Sequence, residues 1–489
     1  MMSAIKHVWR RHRLKPGLRV IGTAWEAVDR TRRLVGGLPP ADPLQAVPSK
    51  EDILRELASD PWSRIQSVRQ LSKEDILRAF ASDPWSRNYF VNWWEFYHGA
   101  AVLSSYPWNI TIPIADVCNA RCTFCTSWLE GTRVLEISEL SHFAEVLPYA
   151  RLVGIAGHGE PLAHPHCEEL FEKLRAYLDP RCQSYIITNG VFLEKRKQAL
   201  ERLNVKTYNI SLNAASSRTH DTVMGLGADA FDDTIGAIED LIAKRDGPVR
   251  SVNRPYCVNI SFVINRDNVH EMADFVRLGN KLGVNNIYLR TLSNVSSPAI
   301  GLNYHLLPPY LHSEFEKHAE EAKQAMAESR ANIVTDVASW GAPVLSQGLA
   351  NLVQLQPPSV VERKDALRDP SVREAYARFY DDVRGAGQPL REPGRNADIF
   401  EDGTNPFHRK PPYNCHFVYH DFIINDFNLR LIPCCYMSSV PGFEVIRFDG
   451  TRPFMEYWNS PAFVTLRTRL QQGTLYGACK KCPAQYVRS

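Results

Sequence analysis

The run Trp108-Asn109-Ile110-Thr111-Ile112-Pro113-Ile114-Ala115-Asp116-Val117-Cys118-Asn119-Ala120-Arg121-Cys122-Thr123-Phe124-Cys125 is the stretch from which the chain is read. Residues 108–115 alternate apolar and polar side chains with Ile110, Ile112 and Ile114 on one side, the two-residue period of a half-buried strand. Three cysteines follow at once, separated by three and then two residues. Thiols spaced this closely can converge on one site from a loop, and soft sulfur ligands suit zinc or an iron–sulfur cluster. A structural zinc takes a fourth protein ligand, and none stands nearby in sequence. A cubane of four irons on three thiolates leaves one iron open to an outside ligand.

Downstream, short apolar runs recur at residues 152–156, 185–188, 207–212, 258–264 and 286–289. Helix-like stretches at 137–150, 167–178, 229–244, 269–282 and 312–329 alternate with them. Strands alternating with helices predict βαβ units and a parallel sheet. Six units fall short of the eight of a closed barrel, so the expectation is an α/β fold built on an open, partial (β/α)6 barrel.

The flanks read differently. Residues 1–105 form a helical N-terminal extension, basic at Arg10, Arg11 and Arg13 and Pro-rich up to Pro48. Within it, SKEDILRELASDPWSR (49–64) and SKEDILRAFASDPWSR (72–87) agree at 14 of 16 positions. Each copy opens with Ser and has Asp three residues on, the signature of a capped helix start. Asn92-Trp93-Trp94-Glu95-Phe96-Tyr97 reads as core. Residues 106–335 hold the barrel, and 336–410 lose periodicity and read as a linker or insertion. Residues 411–489 form a small α+β domain with a β-hairpin at 417–424 and 429–432 and a helix at 461–472.

The chain of 489 residues has a net charge of +3, with 44% hydrophobic and 23% charged residues. That balance gives no general attraction to nucleic acid. No apolar run of about 18 residues is present to span a bilayer. The basic start has no apolar run behind it, so it is not read as a secretory signal, and the expected location is cytoplasmic. Thiols there stay reduced, and of eleven cysteines, eight lie in two tight groups. Cys167, Cys182 and Cys257 lie in predicted barrel elements and read as small buried hydrophobes.

Four segments lie just after successive predicted strands, and together they resemble the radical S-adenosylmethionine (radical SAM) superfamily. Cys118, Cys122 and Cys125, with Phe124 before the last cysteine, resemble its C-x3-C-x2-C hallmark. Gly157-His158-Gly159-Glu160-Pro161 resembles its GGEP segment, with His158 where the first glycine usually stands. Thr188-Asn189-Gly190 resembles its T-N-G, and Ser211-Leu212-Asn213 its S-x-[DN]. The resemblance implies a [4Fe-4S] cluster with an open iron on the three cysteines. It implies S-adenosylmethionine bound by Phe124, Gly159, Glu160, Asn189, Ser211 and Asn213, with the Glu160 carboxylate and the loop backbone gripping the cofactor ammonium.

Cys415, Cys434, Cys479 and Cys482, separated by 18, 44 and two residues, satisfy either zinc or a second [4Fe-4S] cluster. With 428–434 and 458–463 they resemble the SPASM/twitch auxiliary-cluster domain of radical enzymes. The short, single-cluster twitch form fits best, with a spacing similar to that of a radical dehydrogenase acting on an aminocyclitol. Cys435 competes with Cys434 as ligand, and Cys434 is preferred. Arg290, at the end of the sixth predicted strand, and His158 are the candidate catalytic residues.

The expected activity is reductive cleavage of S-adenosylmethionine to a 5′-deoxyadenosyl radical that abstracts hydrogen from a substrate. The substrate class is a small polar metabolite of sugar or cyclitol type, oxidised or epimerised, with electrons from a flavodoxin- or ferredoxin-type donor. A radical peptide maturase is the alternative, disfavoured because residues 1–105 show no strands of a leader-binding winged helix. A zinc-binding scaffold is the alternative of a different class.

Overall fold

The computed structural model describes residues 18–20, 49–59, 65–125, 132–246, 257–265, 267–291, 309–335, 415–424, 429–434, 446–474 and 476. The expected linker at 336–410 and the arginines at 10, 11 and 13 lie outside them.

The described strands are β1 (Leu18–Val20), β2 (Asn109–Ile112), β3 (Leu152–Ile155), β4 (Gln183–Thr188), β5 (Val205–Ser211), β6 (Cys257–Ile264), β7 (Asn286–Thr291), β8 (Asn332–Thr335), β9 (Asp421–Ile424), β10 (Arg430–Ile432) and β11 (Ile446–Arg447). They form one sheet in the order β1-β8-β7-β6-β5-β4-β3-β2-β9-β10-β11. From β2 to β8 every neighbour is parallel and consecutive in sequence. The six strands expected from the alternating pattern are β2 to β7.

Parallel neighbours need crossovers. These are supplied by α-helices after β3 (Cys167–Tyr177), β4 (Lys197–Arg202), β5 (Ser217–Met224 and Asp229–Asp246), β6 (Met272–Leu282) and β7 (Pro309–Glu328). The crossover from β2 to β3 departs from the expected helix at 137–150. It is built of 3-10 turns, Ile137–Phe143 and Leu147–Tyr149. Pro148 lacks the N–H that an α-helix through this stretch would use.

Alternation gives the sheet two different faces. On one, Ile110, Ile112, Val153, Ile155, Ile186, Ile210, Ile260, Phe262, Ile287 and Leu289 are buried in one core with Phe171, Phe275 and Met326 of the crossover helices. The helix Met272–Leu282 lies so close that a methyl on Gly279 would stand 2.5 Å from Ile287 Cδ1. The opposite, open face carries the half-buried Asn109, Thr111, Tyr185, Asn209 and Ser211, and its Ile187 is exposed.

The N-terminal ends of the strands are closed by helices. The repeat forms two starts of the same kind. Asp52 N–H donates to Ser49 Oγ before Lys50–Ser59, and Ser72 and Asp75 form a reciprocal cap on Lys73–Ala79. Lys50 of the first copy pairs with Asp75 of the second at 2.7 Å. The next helix, Pro84–Tyr97, is capped by Asp83 and buries Trp93 and Phe96, in line with the core reading of that aromatic run. Trp85 Nε1 donates to the Ala150 carbonyl, and the Arg151 guanidinium lies 3.8 and 3.7 Å from the Trp85 and Tyr89 rings at the start of β3.

Two expectations are corrected. The N-terminal extension was read as helical and without strands, yet Leu18–Val20 pairs in parallel with β8. Three residues are too few for a period to show. A partial barrel also leaves an unpaired edge for them to take. Residues 417–420, read as part of a strand, form a helical turn before β9. β9 then pairs in parallel with β2, Asn109 opposite Asp421, so the C-terminal strands continue the barrel sheet.

Asn92 joins these parts. Its Nδ2 donates to Ser105 Oγ at 2.9 Å and to the Tyr419 carbonyl at 2.8 Å, and its Oδ1 meets His420 Nδ1. Asn92→Leu leaves these buried groups unpaired and should destabilise the fold by about 3 kcal/mol. Denaturant titration checks this, and a variant as stable as the parent would show that the junction does not depend on this amide.

Candidate active site

Strand β2 ends against a loop whose two stems are tied together. Asp116 N–H donates to the Arg133 carbonyl and Leu135 N–H to the Ile114 carbonyl, with a bridge between Ala115 and Val134. Between the stems stand Cys118, Cys122 and Cys125, all half-buried. Buried Ala120 and Thr123 anchor the spaces between them. The main chain of this loop docks on the end of the helix Ser217–Met224, with Arg121 N–H to the Met224 carbonyl at 2.7 Å and Thr123 N–H to the Val223 carbonyl at 2.8 Å.

The segment after β3 lies alongside. Gly159 N–H donates to the Ala115 carbonyl and Glu160 N–H to the Val117 carbonyl. A methyl on Gly159 would stand 2.3 Å from Val117 O, so only glycine fits there. His158 is exposed, which is why a side chain replaces glycine at that position without conflict.

Glu160 is buried, and its carboxylate is engaged by the chain itself. Oε1 accepts from Leu162 N–H at 3.0 Å and Thr188 Oγ1 at 2.7 Å, and Oε2 accepts from Asn189 N–H at 2.7 Å. These three bonds tie two strand-end loops together through one carboxylate. Burial pushes its pKa up to about 7, against the lowering effect of the same three donors.

Asn189 continues the circuit, with Nδ2 donating to Asn119 Oδ1 at 2.8 Å inside the cysteine loop. Asn213, buried and left-handed at φ 55°, accepts from Val263 N–H and places Nδ2 3.0 Å from Met224 Sδ. Met224 Sδ is in turn 3.4 Å from Cys122 Sγ. Segments far apart in sequence are thus tied to the cysteine loop along two branches, one through Glu160 and Asn189 and one through Asn213 and Met224. Asn119 and Met224 were missed from the sequence. Asn119 sits inside the cysteine motif, whereas Met224 has no sequence signal beyond closing a helix before Gly225.

Burial and mutual repulsion govern the electrostatics of the thiols. Burial, then the charges of Glu160 and Cys125, push the Cys118 thiol up to about 11. Burial and the other two thiols push Cys122 well above its ordinary value. Thiols that oppose each other's ionisation need a shared positive partner to become thiolates. Among the described residues no three His, Cys, Asp or Glu side chains close on a single ion position. A cubane takes one thiolate on each of three irons and does not require such closure.

The remaining expected residues are dispersed. Phe124 is half-buried in the loop and Ser211 is half-buried on the open face of β5. Arg290 pairs with Val263 in β7, and its side chain lies outside the described residues. Cys415 precedes the turn Phe417–His420, and Cys434 follows β10 at the level of Asp421. Cys435, Cys479 and Cys482 lie outside the described residues. Cys167 and Cys182 are buried, while Cys257, expected to be buried, is half-buried at the start of β6.

Residues 112–279 match the family model described as the radical SAM superfamily. A GTP 3',8-cyclase of Mycolicibacterium smegmatis is 31% identical over 139 residues, 24% of this chain and 38% of the relative. A probable GTP 3',8-cyclase of Saccharolobus islandicus is 29% identical over 205 residues, 40% of this chain and 61% of the relative. The chain therefore spans less than two thirds of the length of these relatives. The crystal structure of Streptococcus suis SuiB bound to S-adenosylmethionine aligns with 88% of this chain and 82% of that one, at 14% identity and a TM-score of 0.47.

Because ligation needs thiolates and burial raises the Cys118 and Cys122 pKa values, cluster loading must release protons. Below a pKa near 11 the Cys118 thiolate fraction rises about tenfold per pH unit. Anaerobic iron and sulfide uptake by the apo-chain should therefore strengthen from about pH 7 to about pH 9. Iron per chain measured across that range checks it, and a flat or falling profile would refute it.

Proposed function

Residues 112–279 form a radical SAM domain, and from that premise we propose that the chain is an enzyme that removes a hydrogen atom from a small polar metabolite of sugar or cyclitol type. Such a domain uses a [4Fe-4S] cluster and S-adenosylmethionine. The observation that carries the assignment of residues is the pair of hydrogen-bonded branches, Glu160–Asn189–Asn119 and Asn213–Met224–Cys122, that converge on the cysteine loop.

When bound, the cluster and S-adenosylmethionine supply a 5′-deoxyadenosyl radical that takes hydrogen from an unactivated carbon. The three cysteines hold the cluster. Main-chain groups of 157–159 are assigned to the cofactor, while the Glu160 carboxylate ties that loop to Asn189. Ser211 offers a hydroxyl on the open face. His158, exposed beside Gly159, is assigned to the substrate. Arg290, in β7 beside Val263, is assigned to an anionic group of cofactor or substrate.

Cys415 and Cys434, with Cys479 and Cys482, are assigned to a second cluster that receives an electron from the substrate or orients it. The β9–β10 hairpin supports this by returning the chain at Cys434 toward the start of β9, into which the segment after Cys415 leads. A flavodoxin- or ferredoxin-type protein is the proposed electron donor. Relatives named for GTP 3',8-cyclase activity favour a small molecule bearing a sugar ring over a peptide.

The test is anaerobic reduction of the reconstituted chain with S-adenosylmethionine, followed by quantification of 5′-deoxyadenosine. The wild type should release it. Joint Cys118→Ala, Cys122→Ala and Cys125→Ala substitution should reduce release to background. Release by the triple variant, or a colourless zinc-loaded wild type, would refute the assignment. Mass spectrometry after incubation with GTP or an amino-inositol then tests the substrate class.

A further inference from the structure

Four asparagines stand in one row across four parallel strands. Asn209 on β5 is in register with Asn259 on β6, Asn259 with Asn286 on β7, and Asn286 with Asn332 on β8. Because register partners share a face, all four point to the open side of the sheet. Three of them are linked in a chain running one way. Asn286 Nδ2 donates to Asn259 Oδ1 at 2.6 Å, and Asn259 Nδ2 donates to Asn209 Oδ1 at 2.9 Å.

A chain of amides that all donate in one direction leaves one acceptor and one donor at its ends. The acceptor is Asn286 Oδ1, which is buried, has no hydrogen-bond partner among the described residues and belongs to a residue only 7% exposed. The donor is Asn209 Nδ2, which has no partner among the described residues and sits on a half-buried side chain. Asn332 is exposed at the far end of the row. A buried carbonyl oxygen without a donor is unfavourable by about 1–3 kcal/mol. Side-by-side amides serving only to bind strands together would not need to retain it.

The surroundings select the kind of ligand. Two residues nearer the strand ends, Ser211 is in register with Ser261, and Ser261 with Tyr288. These are neutral groups that donate and accept, like the amides of the row, and Arg290 stands two residues beyond Tyr288 on β7. The tier that holds the row thus pairs with hydroxyl, lactam or amino groups. Two strand spacings separate Asn209 from Asn286, roughly 10 Å, the span of a nucleoside or a substituted ring.

We propose that Asn209, Asn259 and Asn286 form the recognition surface for the uncharged ring of the substrate, with a ligand N–H or O–H completing Asn286 Oδ1. Heterocyclic bases and polyhydroxylated rings share this chemistry. The proposal rests on the radical SAM reading above and names the part of the open face that selects the substrate.

The experiment is anaerobic calorimetric titration of the cluster- and S-adenosylmethionine-loaded chain with guanosine and, separately, with myo-inositol. The wild type should bind one of them. Guanosine binding assigns the row to a base, and inositol binding assigns it to hydroxyls. Asn286→Leu should weaken that binding by about tenfold and Asn209→Ala by about fivefold. Iron per chain and the melting temperature identify variants that fold and load. Where the leucine variant does not, the half-exposed Asn209→Ala decides.

Unchanged affinity in the loaded variants, even with a lowered melting temperature, would make the row a purely structural ladder and overturn the proposal. Binding of neither probe by the wild type would overturn it as well. Absence of 5′-deoxyadenosine from the reduced wild type would instead mark failure of the radical reading, whatever the titrations show.

Discussion

The site depends on a carboxylate that never leaves the protein. Glu160 accepts from Leu162 N–H, Thr188 Oγ1 and Asn189 N–H, all within 3.0 Å. Burying a carboxylate is unfavourable unless hydrogen bonds replace its water, and here the replacement comes from the ends of two different strands. The loop after β3 is thereby fixed to the loop after β4, and Asn189 passes the constraint to Asn119 between the cysteines. Loops that would otherwise move independently are held by one ion's need for donors. The same bonds explain why Gly159 has no room for a side chain: its backbone is pressed against Val117 by the pairing that sets Glu160 in place.

That tie can operate only because the strands are parallel. Parallel order sends the ends of β2, β3, β4 and β5 to one edge, so four short motifs spread from residue 118 to 213 become neighbours. The opposite edge is closed by Pro84–Tyr97, whose aromatic side chains pack under Trp108 and Arg151. Apolar closure at one end and polar, main-chain-rich loops at the other divide the sheet into a structural and a chemical end, as expected for barrels of this kind.

Much of this was legible in the residues. Period-two runs at 108–115, 258–264 and 286–289 became β2, β6 and β7, because β-branched side chains in alternation fit only a pleated sheet with one covered face. The motifs were legible by their order after the strands. What stayed hidden depends on tertiary pairing. Nothing near Glu160 in sequence shows that two of its three donors come from Thr188 and Asn189. Met224 is an ordinary helix residue until the helix end meets Cys122. Leu18–Val20 is too short to show a period, and the crossover at 137–150 scans as a helix until Pro148 is weighed. The asparagines at 209, 259, 286 and 332 are visible as letters, but their alignment is a fact of register.

Register also sets the distance between the two halves of the site. Ser211, in the segment assigned to the cofactor, and Asn209, at the end of the amide row, lie on the same face of β5, two residues and about 7 Å apart. Ser261 and Asn259 repeat the interval on β6, and Tyr288 and Asn286 on β7. A sheet is stiff along its strands, so this interval does not vary with loop motion. Radical chemistry needs the reacting carbon held close to the radical and away from other hydrogen donors. On the proposed assignment, cofactor groups and substrate amides lie on adjacent tiers of the same strands, and the sheet rather than the loops sets that approach.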